Sequence, residues 1–309
     1  MRTRRLVLFG FGTLGAGAAA GLYRASPSFW RNLPSEMRRP ILPPAYSPNP
    51  KRWPDSGLHA AWLGHATVLL KIDGVHIVTD PVFSNHAGFH LGPVSLGIKR
   101  LTAPALNLDG LPKIDLIVLS HAHMDHLDLP SLRALESRST DVVTAPATSD
   151  LFRAPRYRRV HELRWRESVR FGPVQVKAFE VNHWGARYRS DTYRGYNGYV
   201  IEAGRYRVLF GGDTADTDAF QSLRTSRPFD LGIMPIGAYN PWIRYHCNPE
   251  QAWRMGNEAG AEHLMPIHHQ TFPLGREPRT EPIERFHDAA GLARSRIVAH
   301  AIGQEFHLS

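Results

Sequence analysis

Four side chains able to bind a metal ion, His121, His123, Asp125 and His126, crowd into the segment Ser120-His121-Ala122-His123-Met124-Asp125-His126-Leu127-Asp128. The run before them, Ile114 to Leu119, is short and rich in Ile, Val and Leu. That composition predicts a buried strand. Ligands gathered at the end of a buried strand mark the place where α/β proteins put their chemistry. Along an extended segment His121 and His123 face the same way, because side chains alternate with period two. Asp125 and His126 fall where the chain must turn, so they are free to face a second ion nearby. A merely polar loop has no need of this spacing.

The donor set is constrained further by what the chain lacks. Cys247 is the only cysteine, which excludes an intrachain disulfide and a cysteine-based zinc finger. A metal site here must therefore be built from imidazole and carboxylate. Among 309 residues, 42% hydrophobic, there is material for one large domain or two small ones. The net charge of +9 favours anionic partners such as phospholipid, nucleic acid or phosphorylated metabolites. With no arginine-rich tract or basic-aromatic repeat, nucleic acid is not an expected partner. There is no internal repeat, and the oligomeric state is not legible.

Strands are predicted at Leu58–Leu63, Ala66–Ile72 and Val75–Thr79, the last two joined by the turn pair Asp73-Gly74. His65 sits in Trp-Leu-Gly-His-Ala-Thr between the first two, and Asp80 follows the third in Thr-Asp-Pro-Val-Phe-Ser. Asn85 to Pro104 reads as a loop-like insertion in which apolar residues sit beside Lys99 and Arg100; an ordinary surface loop is the first reading of it, and contact with a lipid surface and its phosphate the alternative. A helix is predicted over Leu129–Ser137 with Asp128 as its cap, and a strand over Asp141–Ala145. Alternation around Gly172-Pro173 predicts strands within Val169–Val181, leading to Asn182-His183-Trp184. A hairpin is expected from Asn197–Ala203 and Tyr206–Phe210, leading to Gly211-Gly212-Asp213-Thr214. Phe229–Pro235 reads as a strand running into Ile236-Gly237-Ala238-Tyr239. After Tyr245-His246-Cys247, Asn248 and Pro249 open a helix as cap and first residue. Met265-Pro266-Ile267-His268-His269-Gln270 follows, then a helix over Glu281–Leu292 and a closing strand over Arg296–Ala301. Taken singly, His65, Asp80, His183 and Asp213 are unremarkable polar residues, and Cys247 reads as small packing.

As a set, these segments resemble the metallo-β-lactamase superfamily, α/β (α+β) proteins built as a four-layer αββα sandwich that usually hold two zinc ions bridged by hydroxide. The blocks around His65, Asp80 and Ile236–Glu250 are similar to the branch containing N-acyl-phosphatidylethanolamine-hydrolysing phospholipase D and the ascorbate-6-phosphate lactonase-like proteins. The resemblance implies that His121, His123 and His183 hold one ion, Asp125, His126 and His268 the other, and that Asp213 bridges them. It places His65 and Asp80 near the ions without making them ligands, and Asp128 as a hydrogen-bonding support for a ligand histidine. His246 is implied either to orient substrate or move protons, or to brace its loop. His269 and Gln270 replace an aromatic residue and a glycine of the family pattern, which leaves His269 as a competitor to His268. Two Zn²⁺ suit this donor set, with Mn²⁺ or Fe²⁺ as alternatives.

The implied reaction is phospholipase D-type hydrolysis of (N-acyl-)phosphatidylethanolamine to phosphatidic acid and an (N-acyl)ethanolamine, with hydroxide attacking phosphorus and Asp125, Asp213 and His246 as the catalytic residues. The rival readings are a lactonase, a soluble phosphodiesterase or a β-lactamase on the same scaffold, and a membrane-tethered metal-binding protein with no catalysis. Residues 56–309 would form the hydrolase domain. Before it, Met1–Arg5 carries three arginines and Leu6–Tyr23 no charge, so residues 1–26 read as a signal peptide or membrane anchor. Eight prolines between Pro27 and Pro54 make residues 27–55 an extended linker or strap. These features predict a membrane-associated protein at the cell envelope, facing the periplasm, with a membrane surface and phospholipid as partners.

Overall fold

The computed structural model describes residues 38–91, 94–188 and 190–309, and the chain divides into two compact units, Met1–Pro40 and Ile41–Ser309. The predicted signal or anchor at 1–26 and the first part of the proline-rich segment lie outside the described residues. No helix among the described residues is long and apolar enough to cross a membrane.

The larger unit begins as an antiparallel meander of β1 (Leu58–Gly64), β2 (Thr67–Ile72) and β3 (Val75–Thr79). Asp73 and Gly74 both adopt positive φ, which fits the tight turn joining β2 to β3. A separate two-stranded hairpin follows, β4 (His86–Leu91) and β5 (Val94–Lys99). It corrects the expected loop. Its apolar residues alternate with polar ones, but Gly88 and Gly97 face each other at its centre and its ladder is set apart from both main sheets, which weakens the strand signal. The chain then adds β6 (Leu116–Val118), α1 (Leu129–Ala134), β7 (Asp141–Thr144) and β8 (Arg159–Glu162), with β6 parallel to β3.

A second sheet repeats this plan. The strands β9 (Ser168–Phe171), β10 (Val174–Phe179), β11 (Gly198–Ala203) and β12 (Tyr206–Phe210) run antiparallel, and β13 (Phe229–Pro235) and β14 (Ala261–Ile267) continue in parallel. Between those two lies α2 (Pro249–Ala259), whose Asn248 and Gln251 form a reciprocal capping box. Helix α3 (Glu281–Ala290) follows, and β15 (Glu305–Leu308) returns to pair with β1 in the first sheet. The expected closing strand at 296–301 is thus displaced. Ile297 makes a single parallel bridge to Leu264, and the chain turns away at Ala299 with φ 48°.

The two mixed sheets share one core, in which Trp62, Val68 and Ile117 of the first join Ile201, Phe210 and Ile233 of the second. A second cluster joins the other sheet's far face to the helices, where Ala252, Met255 and Ala259 of α2 and Phe286 of α3 are buried with Leu209, Met234 and Leu264. Within the larger unit, residues 41–55 of the proline-rich segment are joined to the body of the fold. Leu42 bridges to Thr102, and the Trp53 indole N–H donates to Glu305 Oε1 at 2.6 Å.

Candidate metal centre

Every candidate site residue follows a strand whose C-terminal end opens on the same edge of the sandwich. His65 follows β1, Asp80 follows β3, and Ser120 to His126 follow β6. His183 follows β10, Asp213 follows β12, His246 lies in the segment after β13, and His268 follows β14. Strands β1, β3 and β6 share one direction, as do β10, β12, β13 and β14. The alternate, oppositely directed strands contribute none of these residues.

Two ligand groups result: His121, His123, His183 and Asp213; and His65, Asp125, His126 and His268. Asp213 also groups with His246 and His268. In the first, His123 Nδ1 lies 2.8 Å from His121 Nε2 and 3.3 Å from His183 Nε2. The far nitrogens of two of these rings are already committed. His183 Nδ1–H donates to the Tyr245 carbonyl at 2.8 Å. The Ser120 hydroxyl proton goes to Asp80 Oδ2 at 2.5 Å, so its oxygen is left to accept from His121 Nδ1–H at 2.8 Å. Both Nε2 atoms are therefore bare lone pairs aimed at His123 Nδ1, which carries at most one proton to share between them, whereas a cation among the three satisfies all of them.

Asp213 Oδ2 joins the two groups. It lies 3.0 Å from His126 Nε2, 3.2 Å from His268 Nε2, 3.8 Å from His183 Nε2 and 3.9 Å from His121 Nε2. Asp125 Oδ2 is 3.5 Å from His126 Nε2 and 3.6 Å from His268 Nε2. Both Asp213 oxygens, His126 Nε2 and His268 Nε2 are buried without a hydrogen-bond partner. Orphaned donor atoms of this kind are costly in a protein interior. With His65 engaged by Asp125 at 2.9 Å, a pair of divalent cations is the group that the remaining cage of five imidazoles and two carboxylates fits, and its imidazole-rich, thiolate-free character suits Zn²⁺ while admitting Mn²⁺ or Fe²⁺.

The electrostatics agree. Burial pushes His123 down to about 3 and holds His121 and His183 below the ordinary histidine value, so the first group is neutral and ready to ligate. Burial would do the same to His268, but Asp213 and Asp125 outweigh it and raise that ring to about 9. His126 is raised for the same reason. The carboxylates thus hold protons where cations would sit, and metal uptake must displace them.

Surrounding residues fix the rings. Asp80, fully buried, accepts from Ser120 N–H at 2.7 Å and from His126 Nδ1–H at 2.7 Å, which turns His126 Nε2 toward Asp213. Burial pushes the Asp80 carboxyl up, opposed by its hydrogen bonds to His126 and Ser120. His65 Nε2 lies 2.9 Å from Asp125 Oδ2, and the His65 carbonyl accepts from His268 N–H at 3.0 Å. His65, Asp80 and His268 all hold positive φ (53°, 32° and 64°), backbone strain of the sort that clusters at functional sites.

One expectation changes. Asp128 neither caps α1 with its side chain nor supports a ligand histidine. Its carboxylate instead accepts from the Ser84 hydroxyl at 2.7 Å and from Ser131, and faces His90 Nε2 at 3.4 Å, so it ties the β4–β5 hairpin to α1. His269 stays outside both ligand groups and stacks on Trp62 with ring centroids 4.6 Å apart. His246 Nδ1 is buried without a hydrogen-bond partner 3.8 Å from Asp213 Oδ2, inside the cluster rather than bracing its loop through a side-chain bond. Cys247 Sγ–H donates to the Pro235 carbonyl, a buried packing role.

Beside the cluster opens a cleft of about 620 Å³, with His123 and Asp125 at one side and Trp184, Arg187, Tyr188 and Tyr245 around it. Arg187 was not singled out from sequence. Its Nη1 donates to the Ala122 and Leu127 carbonyls, its Nε is buried without a partner, and no carboxylate pairs with it among the described residues. Its only sequence signal is its place four residues after His183.

Residues 76–269 match the family described as "Beta-lactamase superfamily domain". An uncharacterised protein of Mycobacterium tuberculosis is 36% identical over 263 residues, covering 82% of this chain and 69% of that protein. N-acyl-phosphatidylethanolamine-hydrolyzing phospholipase D 1 of Caenorhabditis elegans is 34% identical over 238 residues, 72% of this chain and 66% of that protein. A metallo hydrolase from the archaeon Ignicoccus hospitalis shares the fold at a TM-score of 0.60 and 19% identity, over 82% of this chain and 99% of that one. With two mixed sheets carrying a binuclear His/Asp site along one edge, the chain belongs to the metallo-β-lactamase superfamily of metal-dependent hydrolases.

Proposed function

We propose that this protein is a phosphodiesterase of the phospholipase D type, cleaving N-acyl-phosphatidylethanolamine, or phosphatidylethanolamine itself, to phosphatidic acid and the corresponding ethanolamine. The observation that carries the reading is the cleft. Its walls are aromatic, and its one guanidinium, Arg187, lies without a carboxylate partner beside His123 and Asp125. An amphipathic anion meets both demands: its phosphate answers the buried cation and its chains pack on Trp184, Tyr188 and Tyr245. The likeness to the nematode phospholipase supports the same substrate class.

When bound, the paired cations lower the pKa of a water toward neutrality and offset charge on the phosphoryl oxygens. The protein's own part is positional. Asp213 spans the two groups, Asp125 and Asp80 set the orientation of His65 and His126, and the buried cage excludes competing water. Burial pushes His246 down to about 3, so in the metal-free protein its ring is neutral, able to orient a substrate oxygen through a hydrogen bond or to accept a proton. The test is mass spectrometry of products from metal-loaded protein, with Asp213→Ala as control, on both lipids in detergent micelles. Phosphatidic acid formed only by the intact protein supports the reading. A fully loaded protein that leaves both lipids intact but opens a lactone or a soluble phosphodiester overturns it.

A further inference from the structure

Apolar surface is unevenly spread over the described residues. Eleven large hydrophobic side chains are exposed, and six of them, Phe89, Leu96, Trp184, Tyr188, Trp242 and Ile243, are linked by strand pairing, ring contacts and one turn that pass through the cleft lining. Phe89 and Leu96 are direct partners across the β4–β5 hairpin and project from the same face. The Phe89 ring stacks on Tyr188 with centroids 6.0 Å apart. Tyr188 and Trp184 line the cleft, and Trp184 meets Tyr245 at 4.1 Å. Tyr245 closes a turn on the Trp242 carbonyl, and that turn exposes Trp242 and Ile243.

The hairpin is held in this position. Next to Phe89, and on the opposite face by strand alternation, His90 is 2.9 Å from Ser95 Oγ and 3.4 Å from Asp128 Oδ1. On the Phe89–Leu96 face the neighbouring Ala87–Ile98 pair packs with Val82 and Phe272, so the base of the hairpin is held on the catalytic body while Phe89 and Leu96 beyond it stay exposed. Arg244 follows Trp242 and Ile243, is exposed, and enters no ion pair among the described residues. Indole, aliphatic chain and guanidinium in sequence match the profile of a membrane interface, where aromatic rings lie at headgroup depth and cations meet lipid phosphate. The apolar residues run through the cleft's own lining at Trp184 and Tyr188 instead of forming a patch away from it. A folded protein seated there would seal the cleft, whereas a lipid surface would supply it.

We propose that the β4–β5 hairpin and the Trp242–Arg244 turn dock on an anionic phospholipid surface, so that the mouth of the cleft faces the lipid. This rests on the phospholipid reading of the site. Because Cys247 is buried, a cysteine introduced elsewhere can be labelled selectively in the full chain. Leu96→Cys, Ile243→Cys and, as a control on a remote turn, Leu292→Cys would carry a nitrobenzoxadiazole fluorophore. Vesicles of phosphatidylcholine, alone or with phosphatidylglycerol, are then added to each metal-loaded protein. The emission should rise severalfold and shift to the blue at positions 96 and 243, more on the anionic vesicles, and stay unchanged at 292. Sedimentation with vesicles while 96 and 243 remain unchanged would overturn the proposal, since another element would then hold the membrane. So would failure to bind vesicles, or a change at 96 and 243 that follows protein concentration without lipid, which would make a second copy the occupant. Lipid hydrolysis in detergent micelles separates the two claims: labels that move without hydrolysis leave docking standing and reject the phospholipase reading, and hydrolysis with unmoved labels does the reverse.

Discussion

Replacing Asp80 by Asn tests how far the metal centre depends on a residue that touches no ion. Asn tolerates the positive φ of 32° at this position, so the backbone has no reason to move. The carboxylate accepts from Ser120 N–H on one oxygen and from the Ser120 hydroxyl and His126 Nδ1–H on the other. An amide has only one oxygen. Whichever way it is turned, its NH₂ faces at least one buried donor, at a cost of about 1–3 kcal/mol. Where the NH₂ faces His126, the ring is driven to the tautomer with its proton on Nε2, the atom that must face the ion. Losing such a support lowers metal affinity by roughly 10–100-fold, equivalent to about 1.4–2.7 kcal/mol. Competition with a chromophoric chelator, read alongside circular dichroism, measures this directly. Wild-type affinity for both ions in folded D80N would refute the reasoning that Asp80 sets the tautomer of His126.

Gly237 gives a second, steric test: a Cβ there would lie 2.2 Å from the His268 carbonyl oxygen, so Gly237→Ala should cost about 1–3 kcal/mol of stability and weaken the group containing His268, read as a lower Tm and reduced metal content. Metal uptake should release protons and strengthen as pH rises toward about 9, because His268 carries a proton below that value in the metal-free protein; calorimetry in buffers of different ionisation enthalpy counts them. For Glu162, burial pushes the carboxyl up, but hydrogen bonds from Ser149, Ala147 and Thr148 outweigh it and hold it below the usual range. A carboxylate lowered on folding contributes stability that is present above its unfolded value and is lost as pH falls through its folded one. Glu162→Gln should therefore flatten the acid limb of a Tm-against-pH curve without altering metal content, and an unchanged limb would refute it. Chelation should destabilise the protein, since ions at about 100 times Kd contribute about 2.7 kcal/mol; an unshifted Tm with chelator would contradict the cage.

Much of this was legible because the site is built at strand ends, and strands announce themselves. The run before His121 and the Asp73-Gly74 turn carry their own local signals, and β3 and β13 begin and end where their composition changes. Asn248 with Pro249 marks the start of α2 through backbone chemistry alone. The ligands were a different case. His183 and His268 are ordinary histidines in sequence, and only family resemblance set them beside His121; the fold does so by running β10 and β14 in the same sense toward one edge. What stayed hidden was tertiary. Ser120 relays between Asp80 and His121 through a single hydroxyl. Asp128 stands at a helix start yet spends its oxygens on Ser84, Ser131 and His90. The β4–β5 hairpin and β15 are strands whose ladders depend on partners near or far in the chain that no local pattern names.

The measurement that bears most directly on the binuclear site is the number of metal ions retained per chain after gel filtration, by inductively coupled plasma mass spectrometry. The structure predicts two for the intact protein. It predicts loss confined to the first group for His183→Ala and to the second for His268→Ala, so that each variant keeps one ion. A single ion in the intact protein, or two retained in both variants, would contradict the account.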